Sequence, residues 1–481
     1  MEVKQDVAIL RMSSSASASA GHVSPMAEWS ASPLVRAGLA AMEADVDRFV
    51  AKAPTRLDLM GGSAWQAGAL TLSVPLEPAA YVVCQRRNDG KVAVSLLNST
   101  GPNGAAPVLV DAALLAAQSE LEQHLAGHDD FVLTALETLR ALLSVSVLKD
   151  LRSGVSVAVG SAHEGPGDVA ALASACAATA AAVASAYDVA LDIDAAIEIA
   201  RAVGVPSGRC AIGEADVVSA LCGRNGHVTQ VRGDPCAPAG SVVLGTGATV
   251  LGIDVGVVSE RLDDKRRQTR VATAMGRELI GRIIAHDSSE NATWGGYLAR
   301  ISVSDFVERF RDRIPTKITG EVFTSRFGEP AGVCGEVDPS FVYKVRSRTE
   351  HHVYEHDRAM QFVQYLTRAA RVSDGGQSLT AAGELMYASH WSYGQRCGLG
   401  SIETDLMVNL LRQHGQEAGI FGAKITGQGC GGVVGVLMRD SEEAMTAVQR
   451  AMEAYQTSKK RTPRLLRSAG AGIMETGVVR M

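Results

Sequence analysis

The chain has 481 residues, 46% apolar and 20% charged, with a formal charge of −6. That composition excludes a disordered chain, and the mild acidic balance argues against a nucleic-acid partner, which calls for a basic stripe. Eight cysteines, at 84, 176, 210, 222, 236, 334, 397 and 430, form no C-x-x-C pair, so a zinc ribbon or thioredoxin-type motif is excluded and buried thiols are expected instead of a disulfide framework.

At roughly 100–200 residues per domain, the length fits two or three domains. Residues 1–34 include a Ser/Ala-rich run without apolar period and read as a low-complexity tail. Order is expected from Leu34, with a helix over 35–47. Short β-prone runs follow at 49–54, 69–74, 79–87 and 91–97, separated by Gly, Pro and small residues. Helical period takes over at 129–148. A strand at 155–160 runs into a Gly-Pro-Gly turn (165–167) and then an apolar run, 169–186, with eleven alanines. Alanine suits a packed soluble helix better than a membrane span, which favours Leu, Ile and Phe. A helix from 193, strands at 227–233 and 241–256 and a helix over 266–286 come next. The remainder reads as mostly helical until the turn and strand of 423–438. Glu2 and Asp6 stand where an export signal carries only positive charge. The reading is a soluble, cytoplasmic α+β protein with no membrane partner. The domain junction is placed near 255–270, giving domains 35–260 and 261–481; the oligomeric state is left open.

Three segments can carry chemistry. In the first, 51–68, Arg56 and Asp58 alternate with Leu57 and Leu59, so the polar pair shares one strand face, and Gly61 and Gly62 allow a tight turn. Its plainer reading is a surface hairpin with a charged edge. The second, 159–175, has the strand, glycine-rich turn and helix that present free helix N–H groups to a phosphate. Asp168 is equally suited to capping that helix and occupying the same N–H groups. The third, 422–436, holds Gly427, Gly429, Gly431 and Gly432, which allow either close approach to a ligand or close packing of two elements. His351, His352 and His356 near a helix start read as a solvated helix face, not a metal site, because no H-E-x-x-H pattern is present.

The order and spacing of these loops resemble the GHMP small-molecule kinases, nearest to the galactokinase and L-arabinokinase branch. APTRLDLMGG (53–62) is similar to A-P-G-R-L-D-x-M-G-G, and GAKITGQGCGG (422–432) to G-A-K-[IM]-T-G-G-G-x-G-G. GIDVG (252–256) and CGLGSIETD (397–405) resemble the arabinokinase side. The resemblance implies a two-domain α+β fold, with an N-terminal domain like ribosomal protein S5 domain 2, a ferredoxin-like C-terminal domain and ligands in the cleft between them. It implies transfer of the ATP γ-phosphate to a sugar hydroxyl, with an Asp taking the hydroxyl proton and an Arg beside it. Within IGEADVVSALCG (212–223), Asp216 takes the place of that Asp and Arg56 that of its partner. The resemblance assigns nucleotide binding to Gly165, Gly167, Asp168, Val169 and Ala170. It assigns substrate binding to Asp58, Gly61, Gly62, Trp65, Gly427, Gly429 and Gly431.

The chain departs from the pattern in four places. The phosphate-loop serines are Val169, Ala170 and Ala171, and Gly204 stands where the family has a magnesium-reaching Glu. Trp65 replaces the Asp that grips the sugar, and Gln428 replaces a glycine. Asp168 or Glu164 is then the candidate ligand for Mg²⁺, which requires oxygen donors. The first reading is a divergent ATP- and Mg²⁺-dependent sugar kinase. The alternative is a catalytically degenerate relative that binds sugar or nucleotide in a regulatory role; a changed reaction on the same fold is a third.

Overall fold

The computed structural model describes residues 9–10 and 25–481 except 98–105, 117–126, 163–168, 204–211, 246, 258–260, 288–293, 332–336, 373–374 and 428. The chain forms two compact units. One comprises Met1–Arg56, Pro75–Asn225 and Ala469–Met481; the other comprises Leu57–Val74 and Gly226–Ser468. Two long strands, Arg48–Met60 and Thr71–Arg86, carry the chain from one unit into the other and back.

In the first unit the sheet order is Val478–Arg480, Arg48–Met60, Thr71–Arg86, Val155–Ser161, Lys91–Leu96, Val108–Asp111. Lys91–Leu96 and Val155–Ser161 run parallel, as a strand pair joined through a helical crossover can. Strand alternation sends Val82 and Cys84 to one face, where they meet the helices Asp130–Ser144, Val169–Ala186, Ile193–Ala202 and Glu214–Cys222. Asp129 and Asp192 cap two of these helices, accepting from the backbone N–H groups of Phe131 and Ala195. Every residue from Ala171 to Ala186 is buried. This helix has the length and composition of a membrane span, but its residues pack among the other helices of the unit.

Val83 points to the opposite face and packs with Trp29, Leu34 and Val35. The helix expected over 35–47 is instead Pro33–Ala40, preceded by a second helix, Pro25–Ala31, inside the segment read as tail. Pro33 stands at the first helical position, where its missing N–H costs nothing. Trp29, only 2% exposed, supplies the apolar anchor that the Ser/Ala composition of the segment masks.

The second unit contains an antiparallel sheet in the order Ile420–Ile425, Val433–Arg439, Ala248–Asp254, Arg464–Arg467. Its core includes Leu251, Val436, Val408 and Val448, the last two from the helices Ile402–His414 and Glu442–Lys459. A second cluster joins the long helices Leu262–Asp287 and Val345–Ala369 through Met275, Leu279 and Val353. Two strands of the C-terminal region, Arg464–Arg467 and Val478–Arg480, lie where the sequence reads as helical or unassigned; each is short, and their charged ends weaken the apolar alternation.

Candidate active site

Arg56 ends the first unit's portion of the strand Arg48–Met60, and Asp216 lies in the first turn of Glu214–Cys222 behind the N-cap Gly213. An acidic side chain suits the positive end of a helix. The Arg56 Nε donates to Asp216 Oδ1, forming an ion pair whose side chains are 8% and 7% exposed. Residues 160 apart in sequence thus meet in one unit. In the same unit Ser174 donates to the carbonyls of Pro54 (2.8 Å) and Ala170 (2.9 Å), tying the start of the alanine-rich helix to the strand that carries Arg56. Val169 and Ala170 open that helix half-buried, without a side-chain oxygen.

The surface-hairpin reading of residues 51–68 does not hold. Asp58 is 2% exposed. Its Oδ1 accepts from the Gly62 N–H (3.1 Å), closing the turn, and its Oδ2 lies 3.6 Å from Nζ of Lys424, which is fully buried. The carboxylate therefore stabilises the turn and faces an internal cation, which runs against its assignment to substrate. Lys424 also sits 4.8 Å from the Tyr393 ring centroid, a cation–π distance. The Tyr393 hydroxyl accepts from the Ser63 N–H (2.9 Å) and donates to the Gly427 carbonyl (2.8 Å), so one side chain joins the first loop to the third. Burial, with Asp58 and Glu355 nearby, holds this phenol protonated well above its usual range.

Gly62 is required at this junction because a Cβ would lie 2.0 Å from the Tyr393 hydroxyl and 2.4 Å from the Gly427 carbonyl oxygen. Gly427 and Gly429 both have positive φ in the loop between the strands Ile420–Ile425 and Val433–Arg439, and a Cβ on Gly429 would meet Leu399 at 2.6 Å. At Gly62 and Gly429, close packing of two elements accounts for the glycine; Gly431 has open space around its Cβ position. Gly61, with φ +94°, faces the backbone of Leu70 and donates to Glu355 at 3.4 Å.

The three histidines do not form a solvated face. His351 and His352 are buried and His356 is half-buried, all on Val345–Ala369. His351 bridges Ser63 Oγ (3.2 Å) and Ser392 Oγ (2.8 Å), and His356 Nδ1 accepts from the Leu70 N–H (3.1 Å). Burial lowers the pKa of all three. Glu355, also fully buried, receives Ser389 Oγ at 2.6 Å and Arg358 at 3.0 Å. This helix anchors the first loop from beneath. Its polar residues at i, i+1 and i+4 mimic an exposed stripe, so sequence reasoning missed them. It also missed Tyr393, which belongs to no quoted motif, and passed over Lys424 although that residue lies inside one.

Glu164, Gly165, Gly167 and Asp168 lie outside the described residues, as does Gly204. Among the described residues no group of three His, Cys, Asp or Glu side chains can hold a metal. Val169 and Ala170 offer no side-chain oxygen, and the Ser174 hydroxyl is engaged by two carbonyls. Among the described residues Val169 and Ala170 therefore supply no side-chain ligand for Mg²⁺.

Residues 367–456 match the family described as GHMP kinases C terminal. L-arabinokinase of Arabidopsis thaliana is 26% identical over 497 residues, covering 90% of this chain and 47% of that protein, so the chain spans about half the length of this relative. Galactokinase of Lactococcus lactis, solved with galactose, shares the fold with a TM-score of 0.67 at 14% identity, over 89% of this chain and 95% of that one. Mevalonate kinase of Methanococcus jannaschii follows at 0.53 and 12% identity, over 87% and 97%. The fold is the two-domain α+β architecture of the solved GHMP kinases, and residues 367–456 carry the sequence match to their C-terminal family. By sequence the chain is similar to L-arabinokinase, and by fold to galactokinase.

Proposed function

We propose that the chain is an ATP-dependent kinase that phosphorylates a hydroxyl of a sugar or sugar-like small molecule in the cytoplasm. The observation that carries the reading is the buried Arg56–Asp216 pair. In this reading Asp216 accepts the acceptor hydroxyl proton, the oxygen attacks the γ-phosphorus, and the bond to the β,γ-bridging oxygen breaks to release ADP. Arg56 fixes the orientation of the carboxylate and places positive charge beside the reacting oxygen, where a preorganised charge is most effective. Nucleotide binding is assigned to the turn before the alanine-rich helix, with Gly165, Gly167, Asp168, Val169 and Ala170. Acceptor binding is assigned to the face bearing Trp65 and to the loop of Gly427, Gly429 and Gly431. Glu164 and Asp168 are the proposed oxygen ligands for Mg²⁺.

The test is incubation of the purified protein with ATP, Mg²⁺ and a broad sugar panel, with detection of a sugar phosphate. Formation of one supports the reading; a folded protein that phosphorylates none contradicts it. Val169 and Ala170, lacking the serine hydroxyls of the family pattern, favour a second reading in which the protein binds sugar or nucleotide in a regulatory role. Calorimetry separates the two, since Mg²⁺-dependent ATP binding contradicts the simple regulatory reading.

A further inference from the structure

The second unit holds a small open cleft lined by Ser63, Trp65, Gln66, Arg266, Thr269, Arg270, His352 and Leu399. Arg266, Thr269 and Arg270 are i, i+3 and i+4 on the helix Leu262–Asp287, so both guanidinium groups come from one helical face. The lining includes two arginines and no carboxylate. His352 adds no positive charge near neutral pH, because burial depresses its pKa. Arg266 Nη2 donates to the Gly429 carbonyl at 3.0 Å, which fixes the side chain against the third loop. Its Nε is buried and has no acceptor among the described residues. A buried, charged donor left unmatched is costly unless a ligand completes it. Trp65 supplies a broad apolar wall with an N–H at its edge, suited to the face of a sugar ring.

We propose that this cleft selects an acceptor bearing an anionic group, a sugar carboxylate or sugar phosphate, with Arg266 and Arg270 receiving the anion and Trp65 lying along the ring. The inference rests on the kinase reading only in calling the bound sugar the acceptor. An arginine fork matches carboxylate and phosphate oxygens alike, so the source of the negative charge is decided by experiment.

Calorimetry with two matched series makes the test: galactose, galacturonate and galactose 6-phosphate, and glucose, glucuronate and glucose 6-phosphate. At least one acidic sugar is expected to bind about tenfold or more tightly than its neutral counterpart. Which acid binds better assigns carboxylate or phosphate. Arg266→Gln and Arg270→Gln are expected to erase most of that preference. Gln66→Glu, an exposed isosteric change on the same lining, places a negative charge in the cleft and is expected to lower the acidic-to-neutral ratio without disturbing the Gly429 contact. Equal binding of neutral and acidic sugars, no binding of any acidic sugar, or an unchanged ratio in all three variants overturns the assignment. The binding readout needs no turnover. Arginine-dependent binding of an acid without ADP release contradicts the kinase reading and keeps the cleft assignment. Phosphorylation of a neutral sugar in preference to both acids does the reverse.

Discussion

Arg56 and Asp216 are each almost wholly removed from water, so losing Arg56 takes from the buried Asp216 carboxylate the cation paired with it. Arg56→Ala is expected to destabilise the protein by about 3–5 kcal/mol, read as a lower denaturant midpoint at unchanged slope; a loss below 1 kcal/mol would show that water reaches Asp216. The same logic applies to Lys424 and Asp58. Lys424→Met alone removes the cation facing the buried Asp58 carboxylate, whereas Lys424→Met combined with Asp58→Asn removes both charges. The double variant is expected to be more stable than the sum of the two single losses, a coupling of about 0.5–3 kcal/mol in a double-mutant cycle. Strict additivity would remove the pair from the account. Arg56 and Asp216 were legible in the sequence because both sit inside recognisable motifs. The inward burial of Asp58 was not, since alternation assigns a residue to a strand face without saying what covers that face.

At the scale of elements, the junction of the first and third loops depends on Gly62. Gly62→Ala forces a methyl group against the Tyr393 hydroxyl and the Gly427 carbonyl, so the two loops must separate. The variant is expected to lose stability by at least 1 kcal/mol, as overpacking of a filled site does, and to bring Tyr393 fluorescence and loop proteolysis closer to those of the unfolded chain. The helix Val345–Ala369 sets a pH dependence. His351, His352 and His356 have folded-state pKa values below the ordinary 6.5 because burial disfavours the imidazolium. The unfolded chain therefore binds more protons, and stability rises with pH across this window. The histidine contribution is complete above about 6.5 and is lost as pH falls below it. The urea midpoint is expected to drop from pH 7 to pH 5, with a shallower drop in His351→Asn; an identical slope in that variant would contradict the assignment. Some elements of the first unit were legible from their periods, such as the strand at 155–160 and the helix from 193, close to the observed Val155–Ser161 and Ile193–Ala202. The buried polar face of Val345–Ala369 was not legible. Histidine, glutamate and arginine carry no apolar signal, and only tertiary hydrogen bonds reveal their burial.

For the whole molecule, the fold was legible because short loop motifs in a fixed order specify an architecture even where overall identity to a solved relative is 14%. The chemistry is less fully written there, since the segment holding Glu164, Gly165, Gly167 and Asp168 departs from the pattern and lies outside the described residues. Function is carried by particular side chains, not by the fold itself. The most direct measurement is single-turnover release of ADP with the best acceptor found, comparing the unaltered chain with Asp216→Asn at matched thermal stability. The account predicts a fall of about 10²–10⁴-fold, the usual contribution of a positioned proton acceptor, with ATP affinity retained. Release by Asp216→Asn at the unaltered rate would contradict it.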